Sequence, residues 1–528
     1  MSADNRFVLT ILETSDVHGN ILPLNYANNK PMDVGLAKIA TLLQKERHKN
    51  PYMIVIDNGD LIQGTPLTYY HARIDQQPHN PMVLVLNELA YDAAVLGNHD
   101  FNYGLDVLGK AIRESNFPWL SANVVKKGTG EPFFGKPYLV KHFPGDLKVG
   151  VLGLTTQYIP IWEHPRHIEG MDFLDAVEAA KRWVKLLREK ERVDVVIVSY
   201  HGGFERDLET GEPIEELTGE NQAYQLCQEV EGIDVLLTGH QHRSIAGKSI
   251  HGVTVVQPSS QGRMIGKVTV ELRKQPDGWQ IVRKDSELLS VKHVVPDPHI
   301  VHMVQPYEEK TQLWLDKPIG KVRGDMRIHD PMLVRLRDHA VIEFFNKVQM
   351  EYAHVDISAT ALFDNASPGF SENISMRDIV TNYMYPNTLR VIRIKGKDIK
   401  AALEKCASYF AAYSGGKIEM NPEFTTPKPQ HYNYDMWEGI EYKINISRPL
   451  GERVVLLNYK GKPIEMEQEY DVVMNSYRAG GGGNYRMFKG KPIVRDIPVD
   501  VVELIAEYIM ERGTIEATVD HNWEVIHD

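Results

Sequence analysis

The chain has 528 residues, with 59 Lys+Arg against 71 Asp+Glu and a formal net charge of −12. At about 150 residues per domain, that length predicts more than one domain, and the acidic balance argues against a general binder of polymeric nucleic acid. Apolar content of 42% and charged content of 25%, with 40 Gly and 29 Pro, exclude collagenous, disordered and coiled-coil classes. The two cysteines, Cys227 and Cys406, cannot build a disulfide framework and fit a reducing compartment. The apolar stretch Phe7 to Leu12 is flanked by Asp4, Arg6 and Glu13 and is too short for a signal-peptide core. No run approaches the roughly 20 apolar residues of a membrane helix. A soluble, cytoplasmic chain is expected, with no membrane contact and no obligatory protein partner.

Along residues 1–295, short β-branched runs alternate with helix-patterned segments. The runs are FVLTIL (7–12), MIVI (53–56), AAVLG (93–97), VGVLGL (149–154), VDVVIVS (193–199), IDVLLTG (233–239) and VTVVQP (253–258). Strand followed by helix, repeated, predicts an α/β domain. Leu174, Val177, Ala180, Val184 and Leu187 recur at helical spacing and predict a helix covering one face of the sheet. Two prolines in VVPDPH (294–299) break the pattern, and 300–318 reads as a helix with Pro306 as its candidate kink. Residues 296–318 are therefore the expected linker. From 319 to 528 a second, α+β domain is predicted, with a helix near 333–350, a strand at 389–394, a helix at 398–410 and strands at 441–446 and 470–475. In the 398–410 helix Ile399, Ala402, Leu403 and Cys406 share one face, which predicts a buried Cys406.

The informative pattern lies at the C-terminal end of each apolar strand of the first domain. Asp16 and His18 come after the first, Asp60 after the second, and Asn98 and His99 after the third; His201 and then His240 and His242 come after two more. Parallel strands bring their C-terminal ends to one crevice, where ligands bind in open α/β sheets. Residues i and i+2 at an extended strand end point the same way, so Asp16 with His18, and His240 with His242, can each offer two ligands to one cavity. Such oxygen and nitrogen donors suit Mn, Fe, Co or Zn divalent ions rather than a thiolate site. A carboxylate shared by two ions about 3.5–4 Å apart meets the physical need of phosphoester hydrolysis.

The motifs SDVHGN (15–20), NGDLIQG (58–64), GNHDFNYG (97–104), YHGG (200–203) and GHQH (239–242) resemble those of calcineurin-like metallophosphoesterases of the 5′-nucleotidase and 2′,3′-cyclic-nucleotide phosphodiesterase family. The resemblance covers nearly the whole chain. It implies a four-layer α/β/β/α catalytic domain and a nucleotide-binding C-terminal domain that swings relative to it, which makes the 296–318 linker the expected hinge. It also implies one ion held by Asp16, His18, Asp60 and His242, and a second by Asp60, Asn98, His201 and His240. His99 takes the position of the family histidine beside the attacked phosphorus. Many 5′-nucleotidases place an Asp where this chain has Asn102, so the catalytic pair here is His99 with Asn102, and an Asp–His dyad is not expected.

In the second domain, YNYDMWEGIEY (432–442) and NSYRAGGGGNY (475–485) resemble the segments that sandwich the base in this family. Tyr477 is the expected ring, with Tyr434 as partner, Trp437 as competitor and Asn387 as a polar contact. Arg478 reads equally as a surface residue. Each ring also fits core packing, and glycines 480–483 permit close backbone approach. The implied activity is hydrolysis of a small nucleotide, from 2′,3′-cyclic nucleotides to 3′-nucleotides and on to nucleoside and phosphate. The stretch ATALFDNASPGF (359–370) carries no arginine to grip a phosphate, which favours this reading over a 5′-nucleotidase or UDP-sugar hydrolase. A non-catalytic nucleotide-binding protein is the alternative of another class.

Overall fold

The FVLTIL run lies within a nine-residue strand, Arg6–Thr14, whose last six residues are all buried. Such a strand needs cover on both faces, and the computed structural model supplies it with a second sheet and outer helices. It describes residues 6–276, 278–385, 387–413, 415–426, 428–497 and 499–528. They divide into two units, Met1–Thr311 and Gln312–Asp528.

The first unit holds two six-stranded sheets. In one, Arg6–Thr14, Met53–Asp57, Ala93–Val95 and Trp119–Leu120 run parallel, and the hairpin Met264–Gln275/Gly278–Ser290 extends the sheet antiparallel from Arg6–Thr14. In the other, Leu147–Thr155, Val195–His201, Val235–Thr238 and Val253–Pro258 run parallel, with antiparallel strands Tyr138–Phe143 and Ser244–Ile250 at its edges. Leu9, Ile11, Ile54 and Ile56 of the first sheet join Val149, Val151, Val195 and Ile197 of the second in one buried cluster. The sheets are therefore packed face to face. The opposite face of the second sheet buries Leu152, Val196 and Val198 against Val177, Ala180 and Val184 of helix Ala176–Leu186.

The second unit is built on a five-stranded sheet in the order Asp435–Glu438, Ile357–Ala361, Glu469–Asn475, Leu389–Lys395, Ile493–Ile497. Helix Gly396–Ala407 buries Ile399, Ala402, Leu403 and Cys406. Cys406 is not merely apolar filling: its Sγ lies 3.1 Å from the Tyr485 hydroxyl and 3.2 Å from the Asp435 carbonyl.

Some local expectations change. Leu174 lies before the N-cap Asp175 and is 39% exposed, because its segment enters the helix only at Ala176. The 333–350 segment is two helices, Pro331–Leu336 and Ala340–Ala353, each capped on its N-terminal side by a side chain, Asp330 and His339. Helix Pro298–Leu315 is one element with Pro306 inside it. Among the described residues no helix is long and apolar enough to cross a membrane.

The second unit carries a cluster of carboxylates, Asp338, Glu343, Glu438 and Asp520. Burial, followed by Asp520, Asp338 and Glu343, pushes Glu438 up to about 9. An unfolded Glu titrates near 4.3, so the folded state favours the protonated acid. This contribution is complete below about pH 4 and is lost as pH rises toward 9. Glu438→Gln keeps the shape and the acceptor for Asn522 Nδ2, now 2.7 Å away, and removes the charge. It is expected to raise the melting temperature by about 3 °C or more at pH 8 and by less at pH 5. Calorimetry of the full chain across that range checks this.

Candidate dimetal centre

The chain turns sharply after three first-unit strands, Arg6–Thr14, Met53–Asp57 and Val235–Thr238. Asp16, His18, Asp60, His240 and His242 all have left-handed backbone, with φ between 48° and 65°. That conformation is costly for residues other than glycine and is held only where surroundings fix it. Here the fixing bonds are visible. The Asp16 carboxylate accepts from the His240 N–H at 3.0 Å, and the His18 N–H donates to the Asp60 carbonyl at 2.8 Å. Buried Asp100 clamps two motif loops, accepting from the N–H groups of Gly97 (2.8 Å), Asp60 (3.1 Å), Leu61 (2.9 Å) and Ile62 (3.0 Å). Gly97 is needed for the same closeness: a Cβ there would lie 2.2 Å from Asp60 N and 2.3 Å from Asp60 Oδ1.

These turns bring together two groups, Asp16/His18/His242 and Asp60/His201/His240, with the ligand atoms of each group within 4.8 Å of one another. In the first, His242 Nε2 is 3.3 Å from Asp16 Oδ1 and 3.2 Å from His18 Nε2. In the second, His201 Nε2 is 3.3 Å from Asp60 Oδ2, and Asn98 Oδ1 lies 3.1 Å from His201 Nε2 and 2.9 Å from His240 Nδ1. Asp60 Oδ2 is also 3.7 Å from His18 Nε2, which sets one carboxylate between the two groups. All seven proposed ligands thus converge.

The donor chemistry fits divalent ions. Two imidazole nitrogens facing each other at 3.2 Å, and a buried carboxylate between histidines, make an electron-rich cavity of oxygen and nitrogen donors. Burial drives the His18 ring down to about 3, keeping it neutral as a ligand must be. Burial alone would lower His201 as well; Asp60 and Asp16 override it and hold the ring up to about 9.

Further residues, Asn58 of the NGDLIQG motif and two with no strand-end signal, Glu220 and Trp162, support the ligands from behind. His201 Nδ1 meets the Asn58 carbonyl at 2.7 Å, and His240 Nε2 meets Glu220 Oε1 at 3.0 Å. Such outer contacts fix which ring nitrogen faces a metal. Trp162 stacks on His240 at 5.3 Å. His99 donates its backbone N–H to Asp60 Oδ1 at 2.7 Å, and its ring lies 5.3 Å from that of His18, beside the cavity. Asn102 Oδ1 is 2.8 Å from His99 Nδ1.

The second-unit expectations fare differently. Tyr434 and Trp437 are 1% and 0% exposed. The Tyr434 hydroxyl donates to the Arg335 carbonyl at 2.8 Å, while Trp437 lies in the fully buried Asp435–Glu438 strand. Neither ring is an open face for a base, because the chain has already entered the sheet core at these positions. Tyr432, just upstream, is half-buried and lies 6.4 Å from half-buried Tyr477, with the ring planes at 72°. Arg478 is buried rather than a surface residue: it grips Asp435 at 2.6 and 3.1 Å and donates to the Gly482 carbonyl. A Cβ on Gly482 would meet the Tyr477 ring at 2.6 Å, so this glycine permits the approach. Asn387 is half-buried, its carbonyl accepting from Val501 N at 2.8 Å.

Two face-packed sheets with paired Asp/His/Asn groups at their strand ends define a metal-dependent phosphoester hydrolase. Family models agree: the calcineurin-like phosphoesterase matches residues 9–244, and the 5′-nucleotidase C-terminal domain matches 318–490. The chain belongs to the 5′-nucleotidase family of calcineurin-like metallophosphoesterases. A solved Staphylococcus aureus protein, provisionally named a 5′-nucleotidase, is 34% identical with a TM-score of 0.90, covering 99% of this chain and 100% of that one. The Haemophilus influenzae 2′,3′-cyclic-nucleotide 2′-phosphodiesterase/3′-nucleotidase is 29% identical over 98% of this chain and 87% of its own. The Bacillus subtilis trifunctional nucleotide phosphoesterase protein YfkN is 29% identical over 99% of this chain, which spans 39% of that longer protein.

Proposed function

We propose that the protein hydrolyses 2′,3′-cyclic nucleotides to 3′-nucleotides and then 3′-nucleotides to nucleoside and phosphate. The observation that carries the reading is Asp60 Oδ2, set between His201 and His18 at 3.3 and 3.7 Å. When bound, two divalent ions, Mn, Zn, Fe or Co by donor chemistry, would neutralise phosphoryl charge and make water a nucleophile at neutral pH. Asp16, His18, Asp60 and His242 would hold one, and Asp60, Asn98, His201 and His240 the other. His99, beside the cavity, would give a proton to the departing O2′ as water adds to phosphorus, leaving the 3′-phosphomonoester.

The names of relatives support the cyclic substrate, as does the fate of two arginines of the second unit. Arg335 is 1% exposed and bonded to the carbonyls of Leu362 and Pro331 and to Asn365 Oδ1, and Arg478 is committed to Asp435. The Staphylococcus aureus relative keeps a 5′-nucleotidase as the second reading. Initial rates of phosphate release from 3′-AMP and 5′-AMP, and of ring opening of 2′,3′-cAMP, with Mn²⁺, separate the two. A strong preference for 5′-AMP would overturn the first.

The base is assigned to the second unit, at Tyr477 with Tyr432, and we propose that this unit swings about the 296–318 segment during turnover. Stacking on an aromatic ring contributes about 1–3 kcal/mol per base. Tyr477→Ala is therefore expected to raise KM by roughly 5–150-fold with kcat within about threefold; steady-state kinetics on 2′,3′-cAMP checks this, and an unchanged KM would remove Tyr477 from the base site.

A further inference from the structure

The side chain facing His99 Nδ1 is a neutral amide, Asn102, yet a carboxylate stands one residue further away. Asn102 Nδ2 donates to Glu163 Oε2 at 2.7 Å, while Asn102 Oδ1 faces His99 Nδ1 at 2.8 Å. Glu163 is 8% exposed, and its other oxygen accepts from the His164 N–H at 2.6 Å and lies 2.9 Å from His167 Nδ1. Its segment also supplies Trp162, the ring stacked on His240, so the 159–168 stretch touches the centre at two points.

We infer that Glu163 is a positioning residue for His99, acting through the Asn102 amide. This rests on the reading of His99 as the group beside the phosphorus. An ionised carboxylate only accepts hydrogen bonds, and an amide has one accepting and one donating end. Glu163 therefore locks the Asn102 NH2 toward itself and the carbonyl oxygen toward His99. His99 Nδ1 must then carry a proton directed at Asn102, which turns Nε2 to the reacting phosphoester; the proton given to O2′ is the second one, held on Nε2 of the doubly protonated ring. Burial would push the Glu163 carboxyl up, but bonds from His167, His164 and Asn102 hold it below the ordinary range, so the acceptor is charged. His99, Asn102 and Glu163 thus form a three-residue chain with a neutral spacer.

The logic predicts which replacements fail and which repair. In Glu163→Gln the His164 N–H still requires the amide oxygen, so the amide NH2 turns to Asn102 and favours its flipped orientation, and His99 Nδ1 loses the acceptor that fixed its proton. We expect kcat on 2′,3′-cAMP to fall by roughly 10–100-fold, the scale of lost outer-shell contacts, with KM within about twofold and metal content unchanged. Asn102→Asp alone sets two carboxylates against each other and should also lose activity. The double variant Glu163→Gln/Asn102→Asp lets Asp accept directly from His99 Nδ1 and donor Gln satisfy Asp, and kcat should return to within about fivefold of the parent.

In ¹⁵N-histidine-labelled, zinc-loaded protein, the His99 resonances, assigned by their loss in His99→Gln, should show a protonated Nδ1 in the parent and the double variant but not uniformly in Glu163→Gln. His99→Ala runs alongside. If it retains parental kcat, the catalytic reading of His99 fails. If it is impaired while Glu163→Gln keeps parental kcat and tautomer, or if the double variant is no better than Glu163→Gln, the positioning role of Glu163 is overturned.

Discussion

Asp60→Ala should abolish turnover, by at least about 10³-fold, and should lower bound metal from two ions per chain to at most one weakly held ion. The cause is geometric. Asp60 Oδ2 is shared, 3.3 Å from His201 Nε2 in one ligand group and 3.7 Å from His18 Nε2 in the other. Removing it leaves the His201/His240 group, with Asn98, without any charged ligand, and leaves the His18/His242 group with Asp16 as its one carboxylate. Asp60 Oδ1 also fixes the backbone of His99 at 2.7 Å, so Asp60→Asn is the companion variant, keeping an acceptor there while losing the charge. Elemental analysis together with phosphate release reads both effects. Two ions retained with near-parental turnover would remove the bridging assignment.

His99→Ala should lower kcat by about 10²–10⁴-fold, the range for a lost proton donor, while metal content stays at two ions and KM moves little. The ring contributes no atom to either ligand group, yet it sits 5.3 Å from His18 and is held by Asn102. Its loss is therefore separable from loss of the ions, which distinguishes this variant from Asp60→Ala. Substrates with a better leaving group than a ribose oxygen should suffer less from His99→Ala, because they need less proton transfer. Equal losses on a nitrophenyl phosphodiester and on 2′,3′-cAMP would argue against proton donation.

The ligand set was legible because it is written at strand ends. Asp16, His18, Asp60, Asn98, His201, His240 and His242 each come just after an apolar run, and the architecture gathers such ends. Their supports were not legible for an equally physical reason. Glu220 reaches His240 from a loop, and Glu163 reaches Asn102 across 61 positions, so no periodicity marks either. The hairpin 264–290 escaped because its outer residues are charged and exposed, as in Arg273, Lys274 and Arg283. Tyr434, with Trp437 as competitor, is expected from sequence and Tyr432 is passed over, because nothing in the sequence marks where the strand begins. Asp435 opens the buried strand, and the two-residue difference decides which ring stays half-open.

The most direct test of the central claim is a chromatographic time course of 2′,3′-cAMP with the full chain and Mn²⁺. Transient 3′-AMP followed by adenosine and phosphate is predicted, and chelation should stop both phases together, since one pair of ions would serve both steps. Unchanged 2′,3′-cAMP and 3′-AMP under the same conditions would contradict the account.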